Sequence, residues 1–138
     1  MDPVRDLLKI IVPRLRSYAA VTAIVGQRSY DEPPLNQNNE VAATTFPYIS
    51  IGPVNYQADD AECIVGGEIM VQVDAWSLEP QRTQMMDMAD AIRKAFRDYE
   101  FELADNAVVL FEHWRTDYIV DGAIKHASVR FTAIVEEP

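Results

Sequence analysis

The chain has 138 residues, of which 49% are hydrophobic and 25% charged, and this composition indicates one globular domain, residues 1–138. The formal net charge of −10 argues against a protein that wraps nucleic acid, because such proteins neutralise phosphates with Lys and Arg. The single cysteine excludes an intramolecular disulfide, and the apolar runs are too short to span a membrane.

The N-terminal segment predicts two helices. Asp2 and Pro3 fit the N-cap and the first position of a helix. Pro13 lies inside this helix, so we expect a kink or break just before it. A second, short helix is predicted over residues 18–25, with Gly26 as its C-terminal stop. The apolar stripe of the first helix recurs at helical spacing: Val4, Leu7, Leu8, Ile11 and Leu15.

A loop and a strand follow the helices. Residues 28–30 can form a short extended piece, and residues 31–45 show no periodicity, which indicates a long loop. Residues 46–54 alternate as a strand does, and the prolines near its two ends favour an edge position. Residues 55–66 then form the projecting tip of a hairpin that leads into the next strand.

The clearest pattern in the chain covers residues 67–99. From Glu68 to Trp76 apolar residues alternate with polar ones, which is typical of a strand lying on a core. Pro80 fits the first turn of a following helix, with Ser77 or Glu79 as its cap. That helix is predicted over residues 81–99 from one apolar stripe: Met85, Met88, Ala89, Ile92, Phe96 and Tyr99.

Two further strands close the chain. Residues 107–120 read as one long strand or two, residues 127–135 alternate on the return, and Asp121-Gly122 fits the centre of a type I′ hairpin turn. The order helices, strand, strand, helix, strand, strand predicts an α+β fold. We expect an antiparallel sheet of about four strands, with one long helix packed across it and an N-terminal helical segment.

The residues give little sign of chemistry. In a hairpin closed at Asp121-Gly122, His126 lies opposite Asp117 and His113 opposite Arg130. The two histidines are then roughly 13 Å apart, too far to share a metal ion. No phosphate-binding glycine loop, nucleophile elbow or paired metal-ligand motif is present. We therefore expect no enzyme, no catalytic residue, no cofactor and no metal.

Two other features bear on function. The acidic cluster of Asp59, Asp60 and Glu62 lacks the glycine and the spacing of a calcium loop, and a solvated acidic loop is the better interpretation. Trp76 and Trp114 lie on strand faces whose neighbouring residues are polar. Each is therefore either covered by a helix or exposed for a partner.

Several motifs occur in a definite order. After the first helix come Val25-Gly26-Gln27-Arg28-Ser29-Tyr30, Phe46-Pro47-Tyr48-Ile49-Ser50-Ile51-Gly52, Val73-Asp74-Ala75-Trp76-Ser77, the helix 81–99 and the strand Val129–Val135. In this order and spacing nearly the whole chain resembles the tail terminator (tail completion) proteins of long-tailed, siphovirus-type phages and phage-like gene transfer particles. Ser29, where an apolar residue is expected, and Pro13 depart from that pattern.

The resemblance implies a structural virion protein that caps the head-proximal end of the tail tube as a ring, typically of six subunits. Such a ring ends tube elongation, joins the tail tube protein to a head-side connector, and lets DNA pass through its lumen without sequence-specific binding. It is assembled in the host bacterial cytoplasm and has no membrane partner. For contacts with the tube or neck we predict Asp59, Asp60, Glu62, Trp76, Arg28 and Tyr30.

Two alternatives remain open from the sequence. One is another neck component, a head-completion or connector protein built on a similar small ring unit. The other is a small cytosolic enzyme or ligand-binding domain with a pocket near Trp114 and His126. Alanine at His113, His126 and Cys63 should be silent in a structural protein, whereas loss of a measurable activity would favour the enzyme.

Overall fold

A computed structural model describes residues 1–60 and 64–138. Helices and strands follow one another along the chain in the predicted order, with one short strand more than the four expected. A single 3-10 turn, Ala43–Thr45, interrupts the long loop. The elements are α1 Pro3–Ser17, α2 Ala19–Val25, β1 Ser29–Tyr30, β2 Tyr48–Ala58, β3 Gly66–Ser77, α3 Thr83–Phe96, β4 Ala107–Asp121 and β5 Ile124–Glu136.

The sheet has five strands in the order β1-β2-β3-β5-β4. All neighbouring strands are antiparallel except β1, which runs parallel to β2 over two residue pairs. The α+β prediction is confirmed, and the extended piece at residues 29–30 supplies the strand beyond the four expected. Because β1 pairs only with Ile49 and Ser50, the rest of β2 forms a sheet edge, as its prolines predict.

The helices cover one face of the sheet, here called the helix side, and leave the other face, the open side, uncovered. On β3 the helix side carries Ile69, Val71, Val73 and Ala75, each fully buried. Helix α3 packs on β3, β5 and β4, whereas α1 lies beside β1 and β2. Tyr99 of the predicted α3 stripe follows the end of the helix at Phe96 and packs against the core as a half-buried residue. The other five stripe residues are confirmed in this core: Met85, Met88, Ala89, Ile92 and Phe96.

The predicted start of α3 is wrong. The helix begins after Arg82, which makes no side-chain cap hydrogen bond. Ser77 Oγ instead accepts from the Glu79 backbone N–H at 3.1 Å and donates to Gln84 Oε1 at 2.6 Å. The serine therefore stabilises the turn between β3 and α3, so the helix starts later than Pro80 suggests.

Of the kink or break predicted at Pro13, the break does not occur, because α1 runs through the proline as one helix. Pro13 lies on the exposed side of α1, as does Lys9 one turn earlier, whose carbonyl loses its usual donor. The buried stripe continues on both sides of Pro13 with Ile11 and Leu15. The N-cap prediction is confirmed, since Asp2 Oδ1 accepts from the Arg5 backbone N–H at 3.0 Å.

The predicted register of the last hairpin is also wrong. Asp121 pairs with Ile124, so Gly122 and Ala123 form the two-residue turn, with Gly122 at φ 60°. This is the pattern of a turn that requires glycine at its first central position only. His126 consequently lies opposite Ile119. His113, which precedes a bulge in β4, lies opposite Phe131 instead of Arg130.

A buried carboxylate ties α1 to the segment before β4. Asp6 is 1% exposed and accepts backbone hydrogen bonds from Ala104, Asp105 and Asn106 and a side-chain bond from Asn106 Nδ2, at 2.9–3.1 Å. Burial alone raises the pKa of this carboxyl. The four donors outweigh burial and lower the pKa from 3.8 to about 2.

We expect Asp6→Asn to lower the free energy of unfolding at pH 7 by about 2 kcal/mol, because an amide cannot accept all four bonds. Because its pKa is lowered in the folded state, ionised Asp6 stabilises the fold above about pH 4. This stabilisation is lost as the pH falls towards about 2. Urea unfolding across this range measures the difference between variant and wild type. Glu102→Gln, at an exposed carboxylate nearby, is the control, and an equal loss in both variants would contradict the assignment.

Candidate assembly interfaces

The predicted contact residues lie in two groups at opposite ends of β3. Asp59 and Asp60 follow β2 where β3 begins, whereas Trp76 lies near the end of β3. Ten residues of extended strand between Gly66 and Trp76 separate the two ends by roughly 33 Å. The two groups therefore cannot contact the same atoms of a partner.

The hairpin tip is shorter than the predicted 55–66, because β2 runs to Ala58 and β3 begins at Gly66. One backbone and one side-chain hydrogen bond join its two ends. The Asp59 N–H donates to the Gly66 carbonyl at 2.9 Å, and Asp60 Oδ1 accepts from the Gly66 N–H at 3.3 Å. Both acidic residues are exposed, as are Ile64 and Val65, each at 50%. The tip thus presents acidic and apolar side chains together. The predicted contact Glu62 lies outside the residues that the structure describes.

Arg28 and Tyr30 lie where β1 joins the sheet. Arg28 Nε donates to the Pro47 carbonyl at 2.9 Å, and the Arg28 carbonyl accepts from the Ile49 N–H. These bonds fix the start of β2, which gives Arg28 a role within the subunit. The Tyr30 ring lies 6.4 Å from that of Tyr48 and begins a row of aromatic residues.

This aromatic row crosses the open side of the sheet at one level. The Tyr48 ring stacks on Trp76 with centroids 6.0 Å apart, and Trp76 stacks on His126 at 3.8 Å. Trp76 Nε1 donates to Ser50 Oγ at 2.9 Å. Trp76 is therefore half-buried by its strand neighbours and not by a helix. This lies between the two alternatives that the sequence left open, namely cover by a helix and exposure to a partner.

A polar network continues from the row along the open side. His126 Nε2 lies 2.8 Å from Asp74 Oδ1, and Gln72 Nε2 donates to the same oxygen at 2.8 Å. Arg130 then links Gln72 Oε1, at 3.1 Å, to Asp117 Oδ2, at 3.2 Å. Hydrogen bonds thereby join three strands across a face that has no helix on it.

Gly52 makes room for this network. A Cβ atom at Gly52 would collide with Asp74 Oδ2 and press on the Gln72 side chain. The glycine lies at the irregularity between Ile51 and Val54, where the register of β2 on β3 shifts. Asp74 also affects the pKa of Tyr48 in the row. Burial is the larger cause that raises this pKa, and the negative charge of Asp74 is the smaller one.

Strand β4 is the most exposed apolar element of the sheet. Its side chains come to the surface on both faces of the strand and at its two bulges. Phe111, near its start, is covered by Phe96 and Phe101, but the hairpin end has no such cover. The exposed residues, each 43–58% exposed, are Val109, Leu110, Trp114, Tyr118, Ile119 and Val120.

A second apolar feature lies at the opposite edge of the sheet. A groove of about 630 Å³ runs between α1 and Ile51 of β2, with the half-buried residues Val4, Leu8 and Val12 on its wall. Asp2, Asp31 and three basic residues line the groove as well: Arg5, Lys9 and Arg16. Sequence reasoning missed this groove, because it assigned all apolar residues of α1 to one core.

Neither histidine belongs to a metal-binding cluster in the part of the chain that the structure describes. No three His, Cys, Asp or Glu side chains among residues 1–60 and 64–138 could hold a metal ion. His113 lies opposite Phe131, five residues along β5 from His126, and so is separate from the His126–Asp74 pair. Its Nε2 lies 2.6 Å from Thr116 Oγ1. Its pKa is lowered by burial and then by the Arg93 charge. Within the same residues no helix is long and apolar enough to cross a membrane.

Comparisons with known proteins agree with the resemblance. The family model "Tail completion protein gp17" matches residues 9–136. A chain of the virion of a native gene transfer agent (GTA) particle has a TM-score of 0.87 at 20% identity, over 98% of each chain. The bacteriophage SPP1 gp17 protein has a TM-score of 0.56 at 18% identity, over 94% of this chain and 88% of that one. A search of curated proteins finds no match.

We expect Trp76→Phe to lower the free energy of unfolding by roughly 1–2 kcal/mol. The substitution removes the indole N–H that donates to Ser50 Oγ and part of the ring that stacks on His126. Trp114→Phe is the matched control and should change stability by less than about 0.5 kcal/mol, since Trp114 is exposed. Urea unfolding followed by circular dichroism compares the two. An equal loss in both variants would show that the row contributes little.

Proposed function

Since the chain belongs to the gp17 family of tail completion proteins, which are structural virion proteins and not enzymes, we propose that it caps the head-proximal end of a phage-type tail tube. In this role the protein forms a ring, of six subunits, that ends elongation of the tube. One surface of the ring contacts the tail tube protein, and the other receives a head-side connector. DNA passes through the lumen.

The exposed edge strand β4 carries this proposal. A long edge strand with large apolar side chains at its surface is an aggregation hazard that monomeric proteins normally avoid. A closed ring removes the hazard, because each subunit covers its neighbour's edge through a heterologous contact of two different patches. The exposure of β4 thus supports a subunit that works in an assembly.

The charge of the chain suits the passage of DNA. A net charge of −10 disfavours retention of the phosphate backbone, which binds proteins mainly through Lys and Arg. A wall that repels phosphates lets a duplex slide through without sequence-specific contacts.

Electron microscopy of the purified protein, alone and mixed with tail tubes, tests the proposal. We expect rings, or caps at one end of the tubes. A protein that binds no tubes contradicts the proposal. Binding to the head-side connector without binding to tubes would instead favour another neck component.

The hairpin tip is the proposed contact with the tube. We expect Asp59→Lys/Asp60→Lys to lower the fraction of capped tube ends by about tenfold or more, because two lysines reverse the charge of the tip. The fold should survive, since the backbone bond from the Asp59 N–H to the Gly66 carbonyl remains and only the Asp60 side-chain bond is lost. Capped ends are counted in micrographs and folding is checked by thermal unfolding.

Glu79→Lys/Asp87→Lys is the control for the tip variant. It makes the same change in charge at exposed positions near the other end of β3. Capping at the wild-type level by the tip variant would remove the tip from the tube interface. Equal loss in the tip variant and the control would indicate an effect of total charge.

A further inference from the structure

The helix layer of this subunit is incomplete at one edge of the sheet and extends beyond the sheet at the other. On β4, Tyr118 and Val120 pair with Ala127 and Lys125, which are buried on the helix side. Cross-strand partners point to the same face, so Tyr118 and Val120 also lie on the helix side. They are nevertheless 44% and 46% exposed, because α3 does not reach this end of β4.

At the opposite edge of the sheet a helix extends beyond the strands. Helix α1 carries two apolar stripes, and the stripe of Leu7, Ile11 and Leu15 is fully buried. The second stripe, Val4, Leu8 and Val12, is half-buried and forms the wall of the groove beside β2. Because β1 pairs with β2 at only two residues, no strand of the described chain lies beneath this stripe past Ile51. The groove beneath α1 therefore leaves space in which a further strand could lie beside β2.

We propose that the groove between α1 and β2 receives the hairpin end of β4 from a second copy of this chain. Tyr118 and Val120 of one subunit then lie against the Val4–Leu8–Val12 stripe of the next. The strand that lacks a helix is covered, and the helix that extends past its sheet gains a strand. This inference rests on the proposed ring and specifies the contact that builds it.

The charges of the two edges favour this pairing. Arg5, Lys9 and Arg16 lie along the groove with the acidic residues Asp2 and Asp31. At the hairpin end of β4 the exposed acidic side chain is Asp121, whereas Asp117 is already paired with Arg115 and Arg130. A groove with an excess of basic residues and an acidic hairpin end, on opposite edges of one subunit, favour head-to-tail association over pairing of two identical edges.

The positions of the two patches allow this contact to build a ring. The two patches lie at opposite edges of a sheet whose order is β1-β2-β3-β5-β4, so a subunit engages one neighbour on each side. Such a heterologous contact repeats until the rotation between subunits closes the ring. Pro53 on β2 has no N–H to donate, so we assign the contact to side chains and not to a complete strand ladder.

Two variants with one defective patch each test the inference. The strand variant is Tyr118→Glu/Val120→Glu, at exposed positions. The groove variant is Leu8→Glu, and Arg5→Glu/Lys9→Glu is a second groove variant that alters only exposed residues. Each variant alone should need about tenfold or more higher concentration than wild type to assemble, as measured by analytical ultracentrifugation. Leu110→Glu/Ile119→Glu, on the open side of β4, is the control and should assemble like wild type.

An equimolar mixture of the strand variant and a groove variant gives the sharper result. Each subunit retains one intact patch of opposite kind, so the mixture should form 1:1 heterodimers that do not grow into rings. Heterodimers confirm the contact. A mixture that stays monomeric, or one that forms rings, overturns it, as does wild-type assembly by the strand variant or by both groove variants.

Tail tubes provide a second format if the wild type assembles only on them. The strand variant, the groove variants and their mixture should then leave tube ends uncapped, while the control caps them. Capping by the strand variant would overturn this contact and leave the proposed ring intact. Absence of wild-type assembly both in solution and on tubes would overturn the proposed function itself.

Discussion

The structure depends on one constraint: three helices cover only one face of a five-stranded sheet. Burial of Ile69, Val71, Val73 and Ala75 beneath α3 provides the core. The remaining surfaces of the sheet, namely its open side and its two edges, must be stabilised in other ways. The open side is stabilised within the subunit by the aromatic row and the network through Asp74. In the proposed ring, the edges are the surfaces that neighbouring subunits cover.

The aromatic row and the polar network solve the same physical problem with different groups. A sheet face without a helix exposes side chains to water unless neighbouring strands cover one another. Trp76 provides the largest surface for this purpose, and His126 covers it on one side while Tyr48 covers it on the other. Asp74 is an acceptor for both His126 and Gln72, and Gly52 leaves it the space to lie there. The face is therefore ordered without being apolar, which suits a surface that remains in contact with solvent.

Local patterns predicted the elements of this fold, and pairing between distant segments limited the prediction. Alternation over β3 and the apolar stripe of α3 identified both elements, because each pattern has one buried face. The predicted register of the last hairpin is off by one turn position, since Asp121-Gly122 and Gly122-Ala123 are both acceptable turns and no local signal decides between them. The same limit hid the row, because no local signal shows that Trp76 and His126 are cross-strand neighbours. The continuous α1 shows that the exposure of Pro13, which the sequence does not display, decides whether a proline breaks a helix.

The use of basic side chains links the fold to the proposed lumen. Among residues 1–60 and 64–138, seven Lys and Arg side chains bind acceptors that the structure describes in their own subunit: Arg14, Arg16, Arg28, Arg93, Lys94, Arg115 and Arg130. Arg14, for example, donates to the Ala95 carbonyl and lies over the rings of Tyr18 and Tyr99. An arginine committed to a carbonyl or carboxylate of its own chain is less available to bind a phosphate. Arg5 and Lys9 lie instead at the groove that we assign to the next subunit. In such a ring most basic groups serve folding and subunit contacts, and the acidic groups that remain face the solvent and the DNA.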